Sequence, residues 1–384
     1  MISASRLAFL QLWREKLRLL IALLGVSFAV ILIFMQLGFQ DALFTSAVNV
    51  HTRLAADIVL ISPQSAYLAS MKPFPRRRLQ QARAVDGVES VAAIYTFVSP
   101  WKNPLTGATR DIFVMGFDPT RRVLDIPEVE QAQDLIRLPD VVLYDRASRP
   151  EFGPVVATWR PDHWVTSEVS QRTLTVRGLF QLGTSFGIDG TIVTSDQNFE
   201  RLFPNRTLGH VSIGLVKVKP GVDPERVRAT IESYLDKDVV VLTKQGYIDR
   251  EKSYWNSATP IGTVFRFGVI MGLFVGANIV YQILYADISD HLAEYATLKA
   301  MGYTGRYLVA VVLMEALILA VAGFLPGTAV STWAYKLTAA QTMLPMRLTT
   351  LTSSVVFALT VVMCWTSALI AIRKLSSADP AEIF

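Results

Sequence analysis

Four long stretches of the chain alternate with polar segments, and they carry almost no charge. Residues 19–39, 267–286, 307–335 and 348–372 hold 21, 20, 29 and 25 residues, and Glu315 is the single charged residue among them. A hydrocarbon core about 30 Å thick needs roughly 20 apolar residues at about 1.5 Å each, so every stretch predicts a transmembrane helix. The first run exceeds the apolar part of a secretory leader and is expected to remain as an uncleaved anchor. The expected order is a cytoplasmic amphipathic N-terminal helix over 1–18 and spans over 19–40, 261–286, 307–335 and 348–372. An outer domain fills 41–260, connections fill 287–306 and 336–347, and a tail covers 373–384.

The pattern changes between the first two spans. Residues 57–62 and 89–98 read as strands around a helix at 76–85, rich in β-branched and aromatic positions where the strands fall. A second strand–helix–strand unit follows at 210–219, 223–235 and 238–243, with Asp223 as N-cap and Pro224 at the first helical position. These units predict two related βαβ lobes, about 53–117 and 208–243, packed together, with a turn-rich insertion over about 118–207. Residues 244–260 are expected to lead as a helix into the second span. The predicted fold class is an integral membrane α-helical protein with a large mixed α/β domain between its first two spans.

Composition sharpens this reading. Of 384 residues, 51% are apolar and 18% charged, against about 25% charged in soluble domains. Basic residues Arg6, Arg14, Lys16 and Arg18 precede the first span, and Arg373 and Lys374 follow the last, which places both termini in the cytoplasm. Lys336 and Arg347, in the loop between the third and fourth spans, run against that assignment. The outer segment 41–266 holds 27 basic and 25 acidic residues, so the net charge of +5 is no nucleic-acid footprint. Cys364 is the only cysteine, and His51, His163, His210 and His291 are scattered, so no metal site and no cofactor site is expected. Gly183-Thr-Ser-Phe-Gly187 spells a hydrolase elbow but lacks a recognisable acid–histidine context, so no catalytic residue is assigned. Asn205-Arg-Thr207 is read as a chance glycosylation sequon.

Three features carry candidate function. In the connection after the second span, Ile288, Leu292, Tyr295 and Leu298 recur near helical spacing, Glu294 and Lys299 flank them, and Gly302 supplies a stop. Such a helix either docks into a partner's groove or lies in the headgroup layer. Gly268, Gly272 and Gly276, repeated by Gly323 and Gly327, let helices approach closely, either within the chain or across a dimer. Glu315, roughly 12 Å from the cytoplasmic edge by helix rise, is a structural or snorkelling group or a coupling acid. At the start of the chain, Leu7, Leu10, Trp13 and Leu17 share one face of an interfacial helix resting on the lipid bilayer.

Glu294-Tyr-Ala-Thr-Leu-Lys-Ala-Met-Gly302 resembles the signature of FtsX-like permeases, the family of MacB and LolC. Glu315 and the closing stretch from Arg373 through Asp379-Pro380 to Phe384 match that family's wording. Thr259-Pro-Ile-Gly262, Val280-Tyr-Gln-Ile-Leu-Tyr285, Ala378-Asp-Pro-Ala-Glu-Ile-Phe384 and the stretch from Phe186 to Asp196 resemble its cyanobacterial DevC branch. The resemblance implies a permease of a type VII ABC exporter in the bacterial inner membrane. It implies a homodimer, a periplasmic domain of porter and sabre subdomains, and mechanical transmission across the membrane. No Gly-x-x-x-x-Gly-Lys-Ser/Thr loop occurs in the sequence, so ATP and Mg are expected on a separate DevA-like ATPase. A DevB-like membrane-fusion adaptor and an outer-membrane TolC-like channel are the implied further partners, with envelope glycolipid as cargo. The alternative is an FtsX-like regulator of a cell-wall hydrolase that transports nothing.

Overall fold

The computed structural model describes residue 8 and residues 16–376. The expected N-terminal helix and the tail beyond 376 fall largely outside them. The chain divides into a membrane unit and an outer unit over Leu43–Thr259.

In the membrane unit, the first to fourth spans are the helices Lys16–Ala47, Ile261–Asp290, Gly305–Thr342 and Thr350–Ser376. The first three extend past both ends of the apolar runs that predicted them, and the fourth starts two residues inside its run and extends past its end, because intrahelical hydrogen bonding does not stop where hydrocarbon does. The third continues through Pro326, which sits inside it. Inward faces are small or β-branched: Val26, Ala29, Val30 and Ile33 of the first span are fully buried. Outward faces are large and apolar, with Leu24 62%, Phe274 62% and Trp333 65% exposed, a surface suited to lipid rather than water.

The outer unit is built on one nine-stranded sheet. Its strands are β1 (Ile58–Ile61), β3 (Val88–Lys102), β4 (Thr109–Phe117), β5 (Val141–Asp145), β6 (Val165–Val169), β7 (Arg172–Phe180), β8 (Thr191–Ser195), β10 (Ile213–Val218) and β11 (Val240–Thr243). The short β2 (Phe74–Pro75) and β9 (His210–Val211) pair separately. The order is β11-β1-β10-β3-β4-β8-β5-β7-β6. Helices α1 (Arg77–Arg83) and α3 (Pro224–Tyr234) connect β1 to β3 and β10 to β11, and α2 (Asp196–Leu202) follows β8.

This order specifies how the two expected βαβ units pack together: they interleave in one sheet. β10 lies between β1 and β3, and β1 lies between β10 and β11, all antiparallel. Each βαβ unit leaves a gap between its own two parallel strands, and the other unit fills it, as in the split-βαβ ferredoxin-like arrangement. The strands of the insertion continue the same sheet. The second half of β3 pairs with β4, then β8, β5, β7 and β6 follow in turn, and β6 returns to Trp101 and Lys102 of β3. Six strands thus close a ring, which removes two sheet edges. Both sheet faces are covered: Ile58 and Leu60 join one core, Val59 and Ile61 the other.

Asp223 caps α3 by accepting from the Glu225 N–H at 3.1 Å, with Pro224 at its first position. Helix α4 (Lys244–Ser253) does not run on into the second span. It passes through a wider turn at Tyr254–Ala258 and ends at Thr259, which is extended. Pro260 is the reason, since a residue preceding proline is driven out of helical geometry.

Candidate functional site

The glycines of the spans come first, because they set how closely the helices meet. A Cβ on Gly323 would stand 2.6 Å from Val26 Cγ1, and one on Gly327 would stand 2.7 Å from Val30 Cγ1. On Gly272 it would meet Ile33 at 3.2 Å, on Gly276 Ala29 and Met363, and on Gly268 the Gln36 amide. All five therefore pack inside the chain, mostly on the first span, so of the two readings of the Gly268–Gly272–Gly276 ladder these contacts favour the one within the chain over the dimer face. Ser27 Oγ donates to the Gly323 carbonyl at 2.9 Å, the Tyr335 hydroxyl donates to the Phe34 carbonyl, and Ser367 Oγ donates to that of Ala277 at 2.9 Å.

With the glycines turned inward, the second span presents a different stripe outward. Phe267, Ile270, Met271 and Phe274 are exposed there, and so are Asn278 and Gln282, one turn apart at membrane depth. Hydrocarbon offers an amide no partner.

At one end of the bundle charged groups gather. Arg18 reaches Asp290 at 2.6 Å and Asp287 at 3.8 Å, and His291 Nδ1 lies 2.9 Å from the Asp287 carbonyl. Glu315 is fully buried, and neither carboxylate oxygen has a hydrogen-bond partner among the described residues. It neither snorkels nor pairs there, although Asp287 is near enough to act on it electrostatically.

These groups frame the short helix that the sequence singled out. The second span continues to Asp290, so Ile288 belongs to it and is buried, and the short end helix covers Leu292–Ala300. It closes on Gly302 at φ +93° in a Schellman motif: Gly302 N–H donates to Lys299 O and Tyr303 N–H to Leu298 O, each at 3.1 Å. Tyr295 is buried, and Leu292 and Leu298 are half-buried against their own chain. The outward face is Ala293, Glu294, Ala296, Thr297, Lys299 and Ala300, followed by Met301 at 64% exposure. The apolar residues expected to meet a partner therefore anchor the helix at home, and a smaller apolar strip between charges faces out.

One outer-unit cluster had no signal in the sequence. His51 Nε2 lies 3.4 Å from Glu251 Oε2, both buried, with the Tyr247 ring 4.3 Å from the imidazole. Glu251 also accepts from Leu68 N–H at 3.2 Å and Trp255 Nε1 at 3.0 Å. Burial pushes the Tyr247 phenol up. Asp145, also fully buried, accepts from the N–H groups of Ala147, Leu182 and Gly183 at 2.9–3.0 Å. Burial still raises its carboxyl above the ordinary value, with the three N–H donors opposing it. Asp145 thus holds the Gly183 loop, where Ser185 bridges to Ile188 in a tight turn rather than a strand-to-helix elbow.

Two family models agree with this architecture. The model described as MacB-like periplasmic core domain matches residues 19–234, more than half the chain, and that described as FtsX-like permease C-terminal matches residues 266–380. No curated protein matches the chain. Among solved structures, the periplasmic region of MacB from Actinobacillus actinomycetemcomitans is similar at 11% identity and TM-score 0.34, covering 51% of this chain and 92% of that one. The extracellular domain of the noncanonic ABC-type transporter YknZ from Gram-positive bacteria is similar at 12% identity and TM-score 0.33, covering 49% and 98%. A domain of a putative permease protein from Porphyromonas gingivalis gives 16% identity and TM-score 0.32, covering 50% and 90%.

Proposed function

The chain belongs to the FtsX-like permeases that carry a MacB-like periplasmic core domain, and we propose that it drives export by mechanical transmission, coupled to a separate ABC ATPase. The observation that carries this reading is the end helix. It is fastened at one end by the charged cluster around Asp287 and at the other by the Gly302 cap, and it turns Ala296, Ala300 and Met301 outward between Glu294 and Lys299. A rigid lever with a small apolar face suits a groove on another protein. With both termini cytoplasmic, the orientation that the basic flanks of the first and last spans favour, that face meets an ATPase holding ATP and Mg. Closure of two ATPases pushes two such helices, and the spans carry the motion to the outer domains.

Two copies of the permease fit this scheme, and the second span supplies the contact. Asn278 and Gln282 each carry a donor and an acceptor, so the same stripe on a second copy satisfies both. The DevC-like wording extends the reading to a membrane-fusion adaptor, a TolC-like channel and envelope glycolipid as cargo.

The test is co-reconstitution in liposomes with the partner ATPase and adaptor. Export requires ATP turnover that rises when the adaptor is present. A cell-wall hydrolase that binds the outer domain, with turnover indifferent to any adaptor, would establish the regulator instead.

A further inference from the structure

The outer unit holds a cleft that the transmission scheme leaves unused. It encloses about 370 Å³, within the range of small-molecule sites. Its floor is Tyr95 of β3 and Phe199 of α2, 2% and 1% exposed, with ring centroids 5.9 Å apart. The Tyr95 hydroxyl is committed to the Leu208 carbonyl at 3.0 Å, so this floor adds no free polar group to the cleft. Helix α2 is fixed in place, since Ser195 caps it and Asn198 donates to the carbonyls of Ile136 and Leu138.

Among the polar groups that line the cleft, Arg206 only donates, whereas Ser212, Asn205, Thr207 and His210 can donate or accept. Arg206 lies 4.4 Å over the Phe97 ring, and its Nη1 makes one long bond of 3.4 Å to the Thr96 carbonyl. No carboxylate pairs with it among the described residues, and burial lowers its pKa. Ser212, 3% exposed, accepts from the Thr96 N–H at 3.0 Å, which leaves its own hydroxyl hydrogen to give. Among the described residues no acid lines the cleft, although Asp118, Asp196 and Glu200 act on Tyr95 electrostatically. The neighbouring Glu200 instead accepts from the Leu208 N–H at 3.4 Å. Asn205 and Thr207 stand exposed at the rim.

A half-buried guanidinium without a counter-ion, next to an aromatic floor, matches one chemistry. We propose that this cleft binds a small amphipathic anion, with its apolar body filling the cleft above the buried Tyr95–Phe199 pair and its carboxylate or sulfonate on Arg206 and Ser212. The site stands apart from the export reading, since binding here requires neither the ATPase nor transport.

The probe is para-trifluoromethylbenzoate, with para-trifluoromethylbenzyl alcohol as its neutral counterpart, observed by fluorine NMR on the full chain in zwitterionic nanodiscs. The acid binds saturably and the alcohol at least tenfold more weakly. Arg206→Gln weakens the acid at least tenfold and leaves the alcohol unchanged, and Arg206→Lys recovers part of the loss. Thr207→Trp, at the exposed rim, blocks both without disturbing thermal unfolding. Arg177→Gln, at a cation stacked on Trp164 elsewhere in the domain, changes nothing. Absence of saturable binding, equal binding of acid and alcohol, or full affinity in Arg206→Gln overturns the proposal.

Discussion

Gly327 meets the first span so closely that a Cβ on it would lie 2.7 Å from Val30 Cγ1 and 3.1 Å from the Ser27 carbonyl. Backbone cannot give way as a flexible side chain can. Gly327→Leu should therefore destabilise the bundle by about 1–3 kcal/mol through overpacking, read as earlier thermal unfolding in detergent. Asn278→Leu with Gln282→Leu should leave that unfolding in place and instead reduce chemical cross-linking between copies. A normal dimer in the amide double variant would remove the second-span contact from the scheme.

Glu251 gathers His51, Leu68 N–H and Trp255 Nε1 in a buried site. Glu251→Ala strands all three and should cost about 3–5 kcal/mol. Glu251→Gln keeps an acceptor and should cost less than half as much. Thermal unfolding followed by tryptophan fluorescence separates the two.

Asp145 gives a pH dependence of definite sign. Its folded carboxyl lies above the ordinary value, so the folded state holds the proton more tightly than the unfolded chain does. The resulting stability is present below the ordinary carboxylate pKa of about 3.9 and is lost as pH rises through the raised value. Wild-type stability relative to Asp145→Asn should therefore decline across that window, measured by denaturant titration at successive pH values. A difference that does not vary with pH would exclude the linkage.

Glu315 presents the opposite balance, an enclosed carboxyl group whose oxygens have no hydrogen-bond partner among the described residues. Replacement by a well-packed apolar residue is then neutral or stabilising, by about 1–4 kcal/mol in comparable sites. Glu315→Leu should unfold no earlier than wild type. Loss of transport in that stable variant would assign the acid to coupling.

The sequence made the membrane part legible because span length and apolarity are local quantities, and the Gly302 stop is local too. It could not say what the glycine ladder touches, since spacing reveals that a helix can approach closely but not which neighbour it approaches. The interleaving of β1 between β10 and β11 was hidden for the same reason: Ile58 pairs with both Val216 and Thr243, far along the chain. The closed six-strand ring depends on Trp101 meeting Val169, and the pairing of His51 with Glu251 likewise leaves no trace in the order of residues. At the end helix, periodicity located the apolar face, but Tyr295 and Ile288 turn it toward the chain itself.

The most direct measurement is therefore made on the outward face of that helix. Ala296→Asp with Met301→Asp places two charges on the strip that would dock, and desolvating them opposes association. Glu294→Lys should do less, since an exposed ion pair is worth about 0–1 kcal/mol. The readout is copurification of the partner ATPase from detergent, together with its stimulated ATP turnover. The double variant should lose both while the chain still inserts and its outer domain unfolds at the wild-type temperature. Normal copurification and normal stimulation would contradict transmission through the end helix.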